Sequence, residues 1–140
     1  MVDTQILIVK LKELDRYIIA LKKLKTISLD ELVRDINKTC ALEHGLQLSI
    51  QIVIDIGNHI LADMGESNME TYVDIIDLLG EKGVISKVFA KRIRGMAGLR
   101  NILVHEYVEV DLKQLYSVLQ NNLCDFKEFA EFIKKFLKKS

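Results

Sequence analysis

The chain has 140 residues, nearly half of them apolar, with 20 Lys and Arg against 20 Asp and Glu. That length suits one domain over residues 1–140 whose core needs neither metal nor disulfide, and the even charge argues neither for nor against a nucleic-acid partner. No apolar run approaches the roughly 18 residues that span a bilayer, and charge throughout "LIVKLKELDRYIIALKKLK" is unlike a signal peptide. The expectation is a soluble, cytoplasmic protein without a membrane partner. Cys40 and Cys124 are too few for a disulfide framework and are expected to be buried free thiols.

No proline interrupts the chain, so the strongest helix breaker is missing. From Thr4 to Lys25, Ile8, Leu11, Leu14, Ile18, Leu21 and Leu24, with Tyr17 beside them, recur at three- and four-residue steps and mark one helical face. "SLDE" at Ser28–Glu31 has capping-box spacing and opens a second helix that runs to "DMGE" around Gly65. Within it, "LQLSIQIVIDI" alternates like a strand. No other segment alternates, and a lone strand has no partner for its backbone. Gln47, Gln51 and Asp55 fall at four-residue steps, which makes them one polar stripe, extended by Asn58 and His59, on an otherwise apolar, central helix. A short third helix runs from Met69 to Leu79, closed by Gly80 and Gly83. A fourth spans Ser86 to His105, and a fifth runs from an Asp111 cap to Phe136, with Leu115, Leu119, Phe126, Phe129, Ile133 and Phe136 on its face. The fold class is therefore all-α, an up-and-down bundle of about five helices.

Charge is uneven along the fourth helix. Lys87, Lys91, Arg92, Arg94 and Arg100 occur there without a carboxylate between them. Lys134, Lys135, Lys138 and Lys139 form a second cluster, suited to the last turn of a helix. Gly95, Ala97 and Gly98 lie inside the fourth helix, where glycine costs roughly 1 kcal/mol relative to alanine. A neighbouring helix, a dimer mate or a ligand can each account for such small residues. Cys40 with His44, and Asp55 with His59, have helical spacing for metal ligation, but neither pair supplies the three or four ligands zinc requires. Asp55 and His59 read better as a polar pair at the edge of the core, and no metal or cofactor is expected.

The fourth helix ends in "LRNILVHEY", Leu99 to Tyr107. Asn101 and His105 are four apart and share a face, with Arg94 two turns earlier. Arg100 and His105 are five apart, about 140° around an ideal helix. They cannot meet on one straight helix, so a site using both needs a bent helix end or a second copy of the chain. The plain alternative is a polar last turn with His105 near the negative end of the helix dipole.

"GLRNILVHEY" resembles the signature of HEPN domains: Arg, a polar residue, an aliphatic stretch, then His. HepT-like members add Tyr two residues later. The matching positions are Arg100, Asn101, His105 and Tyr107, and "LQLSIQIVIDIGNHI", "YVDIIDLLGEKGVIS" and "VDLKQLYSVL" are similar to the flanks. The resemblance covers about Leu11 to Phe132. It implies a two-fold homodimer with Arg100 and His105 as catalytic residues in a cleft at the interface. The implied activity is that of a metal-independent endoribonuclease toxin of a type VII-like toxin–antitoxin pair. It also implies a cognate minimal nucleotidyltransferase antitoxin that transfers AMP to Tyr107. Asn101 and Tyr107 would support catalysis, and Lys91, Arg92 and Arg94 would bind flanking RNA phosphates. The alternative is a non-catalytic helical partner that binds a nucleotide or substrate for a nucleotidyltransferase.

Overall fold

The computed structural model describes residues 3–105 and 111–139. Among them are eight helices: α1 (Thr4–Leu24), α2 (Leu29–Arg34), α3 (Ile36–Asp63), α4 (Tyr72–Glu81), α5 (Lys87–Ile93), α6 (Gly95–Val104), α7 (Leu112–Asn121) and α8 (Leu123–Lys139). The architecture is an all-α bundle. Three of the five expected helices are each interrupted once, which gives eight segments. The expected second helix breaks at Asp35, which is extended (φ −115°, ψ 103°). Its carboxylate accepts from Asn37 N at 3.0 Å and starts α3, while its own N–H closes α2 on Leu32 O. A short polar side chain that offers the backbone an alternative partner competes with the helix. Thr39 Oγ1 donates to Leu32 O at 2.8 Å and stitches the break. The expected fourth helix is interrupted at Arg94, where Ala97 N donates to Arg94 O in a three-residue turn. The expected fifth breaks at Asn122 (φ −121°, ψ 4°).

α3 is the axis of the bundle, and α1, α2, α4, α6, α7 and α8 all pack on it. The alternating stretch is helical and buried nearly all round, with Leu46, Ile50 and Ile56 fully enclosed and Ile52, Val53 and Ile54 almost so. Gly57 admits α4, because a Cβ there would stand 2.8 Å from Ile75 Cγ2 and 2.9 Å from Leu79 Cδ1. Gly80 does not close the third expected helix. It lies inside α4, buried, where a Cβ would meet Ala90 Cβ of α5 at 2.8 Å. On α1 the buried face is Leu7, Leu11, Leu14, Ile18 and Leu21. Leu7 takes the place expected for Ile8, which is 36% exposed. Phe126, Phe129 and Ile133 of α8 complete the core, each worth about 1.5–3 kcal/mol when buried. Cys40 and Cys124 are exposed, not buried. No helix among the described residues is long and apolar enough to cross a membrane.

Candidate active site

Three elements converge on Arg100. α6 carries the residue, and α3 presents the polar stripe. Gln51 Oε1 accepts from Arg100 Nε at 2.8 Å. Gln51 Nε2 in turn donates to Asp55 Oδ1 at 2.8 Å, and Asp55 Oδ2 faces Lys10 Nζ of α1 at 3.8 Å. Asp55 thus turns to Gln51 and Lys10, not to His59 as the sequence suggested. α4 supplies a platform, with the Arg100 guanidinium carbon 4.7 Å from the centre of the Tyr72 ring, a cation–π contact.

Tyr72 is placed by the start of α4. Thr71 is the N-cap, and its hydroxyl accepts from Asp74 N at 3.2 Å. The Asp74 carboxylate reaches back to Thr71 N and Glu70 N, both at 3.0 Å. This reciprocal capping satisfies orphan donors of the first turn. The N–H of Thr71, followed by that of Glu70, holds the Asp74 carboxyl below the usual carboxylate range.

α6 stops at Val104. His105 is its C-cap, extended (φ −89°, ψ 102°) and exposed, so the chain leaves the helical path at the histidine. Asn101 is also exposed. Tyr107 lies outside the described residues. The faces at Gly95 and Gly98 are bare, since a Cβ at either would meet nothing within 4 Å. Among the described residues, no neighbouring helix accounts for these two glycines, although Ala97 between them is buried.

The other cations of this region are engaged elsewhere. Arg92 bonds Asp125 Oδ1 through Nε at 3.2 Å, pairs with Glu128 and lies over the Phe89 ring. Asp125 is 6% exposed and also accepts from Asn122 Nδ2, so Arg92 braces the start of α8. Arg94 pairs with Asp77 of α4 at 2.9 Å. Lys91 is exposed and shares a shallow concavity with Lys87, Arg94, Asp77 and Glu81. Arg92 and Arg94 therefore reach different carboxylates and do not gather with Arg100.

The arrangement offers a guanidinium fixed along one edge and one face. Its terminal amino groups make no other bond among the described residues, and an exposed imidazole follows at the helix end. Such a pair suits anion binding and proton transfer. Comparison with known proteins gives the same class. The family model for "Ribonuclease HepT-like" proteins matches residues 11–133. The chain is 31% identical over 136 residues to the tRNA nuclease HepT of Aphanizomenon flos-aquae, covering 97% of this chain and 92% of that one. It is 35% identical over 89 residues to the mRNA nuclease HepT of Shewanella oneidensis, covering 64% and 67%. Among solved structures, it is similar to a toxin–antitoxin complex with AMP-PNP (TM-score 0.85, 27% identity, 94% and 98% covered). It is also similar to the tri-AMPylated HEPN toxin of S. oneidensis in complex with its MNT antitoxin (TM-score 0.84, 29% identity, 96% and 99% covered). The fold and motif define an all-α HEPN nuclease. The chain belongs to the HepT-like ribonuclease family, and by that membership it is an endoribonuclease.

Proposed function

We propose that the chain is the RNA-cleaving toxin of a toxin–antitoxin pair and that it works without a metal ion. The observation that carries this reading is Arg100, held by Gln51 and Tyr72 with its terminal amino groups left for an anion, five residues before the exposed His105. Cleavage begins when the RNA 2′-hydroxyl loses a proton and attacks the adjacent phosphorus. The 5′-oxygen leaves with a proton, and a 2′,3′-cyclic phosphate remains. His105 takes or gives these protons, a task an imidazole performs near neutral pH. Arg100 grips the phosphate with two donors and stabilises the charge that builds in the transition state. Asn101 orients the ring or the ribose.

Two copies make the site. The bare faces at Gly95 and Gly98 leave room for a close approach along α6, and a two-fold axis is the commonest closed arrangement. Arg100 of one copy and His105 of the other then share a cleft. Lys91 is the best placed of the flanking cations to hold further phosphate. Arg92 and Arg94 contribute only as far as RNA competes with their carboxylates. A minimal nucleotidyltransferase antitoxin modifies Tyr107 with AMP, adding bulk and negative charge where RNA enters.

The test is incubation of the purified protein with RNA in chelator, beside Arg100→Ala, His105→Ala and an equal mixture of the two. Cleavage by the wild type, loss in each variant and partial recovery in the mixture are expected. Activity abolished by chelator, or unchanged in His105→Ala, contradicts the mechanism. A monomer at micromolar concentration that still cleaves RNA contradicts the shared cleft. With the partner enzyme and ATP, mass spectrometry should find AMP on the wild type and none on Tyr107→Phe, while that variant keeps much of its RNase activity. AMP on another residue overturns the assignment.

A further inference from the structure

Arg100 is tethered by a neutral group, although a carboxylate lies one helical turn away. Along this line the charges run Lys10 positive, Asp55 negative, Gln51 neutral, Arg100 positive. Gln51 and Asp55 are four apart on α3 and occupy the same face. An acidic side chain at position 51 would accept the same bond from Arg100 Nε and would form an ion pair with it. The amide accepts that bond with its oxygen and spends its nitrogen on Asp55. The Asp55 charge is then shared with Lys10 rather than with the guanidinium. Tyr72 adds a second neutral restraint, an aromatic ring whose centre is 4.7 Å from the guanidinium carbon.

We infer that Gln51 is a positioning residue that fixes the Arg100 guanidinium while insulating its charge from Asp55, with Tyr72 as the platform that sets its plane. A free arginine side chain samples many rotamers, and ordering it on substrate costs entropy. Two restraints on one edge and one face remove most of that freedom beforehand. The terminal amino groups stay charged and make no hydrogen bond to α3 among the described residues. Asp55 and Lys10 serve the amide, since they determine which of its two ends faces Arg100. The inference rests on the role of Arg100 in RNA cleavage.

Two substitutions separate holding from insulating. Gln51→Met keeps the volume and removes both hydrogen bonds. Gln51→Glu keeps an acceptor for Arg100 Nε and adds a charge. RNA cleavage in chelator gives kcat and KM for each, and melting gives stability. For Gln51→Met we expect kcat lower by up to about 10²-fold, the scale of a misplaced catalytic group. For Gln51→Glu we expect a raised KM despite an intact tether. RNA binding should show the same effect in a His105→Ala chain, which does not turn over. There Gln51→Glu should flatten the dependence of log K on log salt by about 0.7, one single-strand phosphate contact. When Arg100→Ala is also present, Gln51→Glu should change that slope no further. A Gln51→Glu chain that cleaves and binds RNA as the wild type does, while Arg100→Ala is inactive, overturns the inference and leaves the proposed function standing. Losses that track melting temperature, or that persist in the Arg100→Ala background, also overturn it. A wild-type chain inert toward RNA removes the proposed function and this inference with it.

Discussion

Arg100 and Arg92 are eight residues apart in one basic stretch, yet their surroundings are opposite. Arg92 is met by two carboxylates, Asp125 and Glu128, and Arg94 by a third, Asp77. Arg100 is met by an amide and an aromatic face. A carboxylate partner fixes a cation and consumes its charge, whereas a neutral partner fixes it and leaves the charge for a ligand. The chain uses the first arrangement to join elements, α5 to α8 and the α5–α6 junction to α4. It uses the second where the family motif falls. Counting cations along the sequence cannot make this distinction, because the neutralising groups come from other helices.

The contrast is broken most strongly at Arg100 itself. Arg100→Ala should reduce RNA cleavage by about 10²–10³-fold, the usual cost of losing a donor to developing charge. Its melting temperature should stay near that of the wild type, since Gln51 and Tyr72 are only half-buried. Arg92→Ala should behave in the reverse sense. It removes the charged partner of the buried Asp125 and leaves it the bond from Asn122, and a hydrogen bond to a charged group contributes about 1.5–3 kcal/mol. Denaturant melts should show that loss, while cleavage per folded molecule stays within a few-fold. Equal losses of stability in the two variants would erase the distinction.

Smaller effects sharpen it. Lys91→Glu should flatten the salt dependence of RNA binding by about 0.7 for a single strand, and filter binding across a salt series reads this directly. An unchanged slope makes Lys91 an ordinary solvated residue. The least effect is expected at Asp74, whose cap places Tyr72 under Arg100. Its folded pKa lies below the ordinary value because of N–H donors from Thr71 and Glu70. The stabilisation is therefore present above the unfolded pKa of about 3.9 and fades as pH falls through the lower folded value. Asp74→Ala should melt earlier than the wild type at pH 7, and the gap should narrow on acidification below about pH 4. A gap that widens in acid contradicts the assignment.

The helical periodicity in the sequence was enough to place the bundle, including the stretch that alternates like a strand. The polar stripe of Gln47, Gln51 and Asp55 was the clue there, and it also marked the helix that supports the site. Its purpose was not legible, because Arg100 is 49 residues beyond Gln51. The break at Asp35 was missed because it depends on one side chain competing for a backbone group, which leaves the apolar pattern intact. Ile8 was placed inward because a three-residue step fits as well as a four-residue one at the end of a helix, where Leu7 proves to be the buried partner. Arg100 and His105 are candidates through the motif. The pairing of Arg92 was not legible, since Asp125 lies 33 residues away on α8.

In the proposed mechanism the RNA 2′-hydroxyl attacks, driven by side chains alone. The most direct measurement uses two RNA oligonucleotides in excess chelator, identical except that one carries a 2′-deoxyribose at the cleaved nucleotide. The natural oligonucleotide should be cut to a 2′,3′-cyclic phosphate by the wild type and left intact by His105→Ala. The 2′-deoxy version should survive both. Cleavage of the 2′-deoxy oligonucleotide at the same bond, or products that begin without a cyclic phosphate, would contradict it.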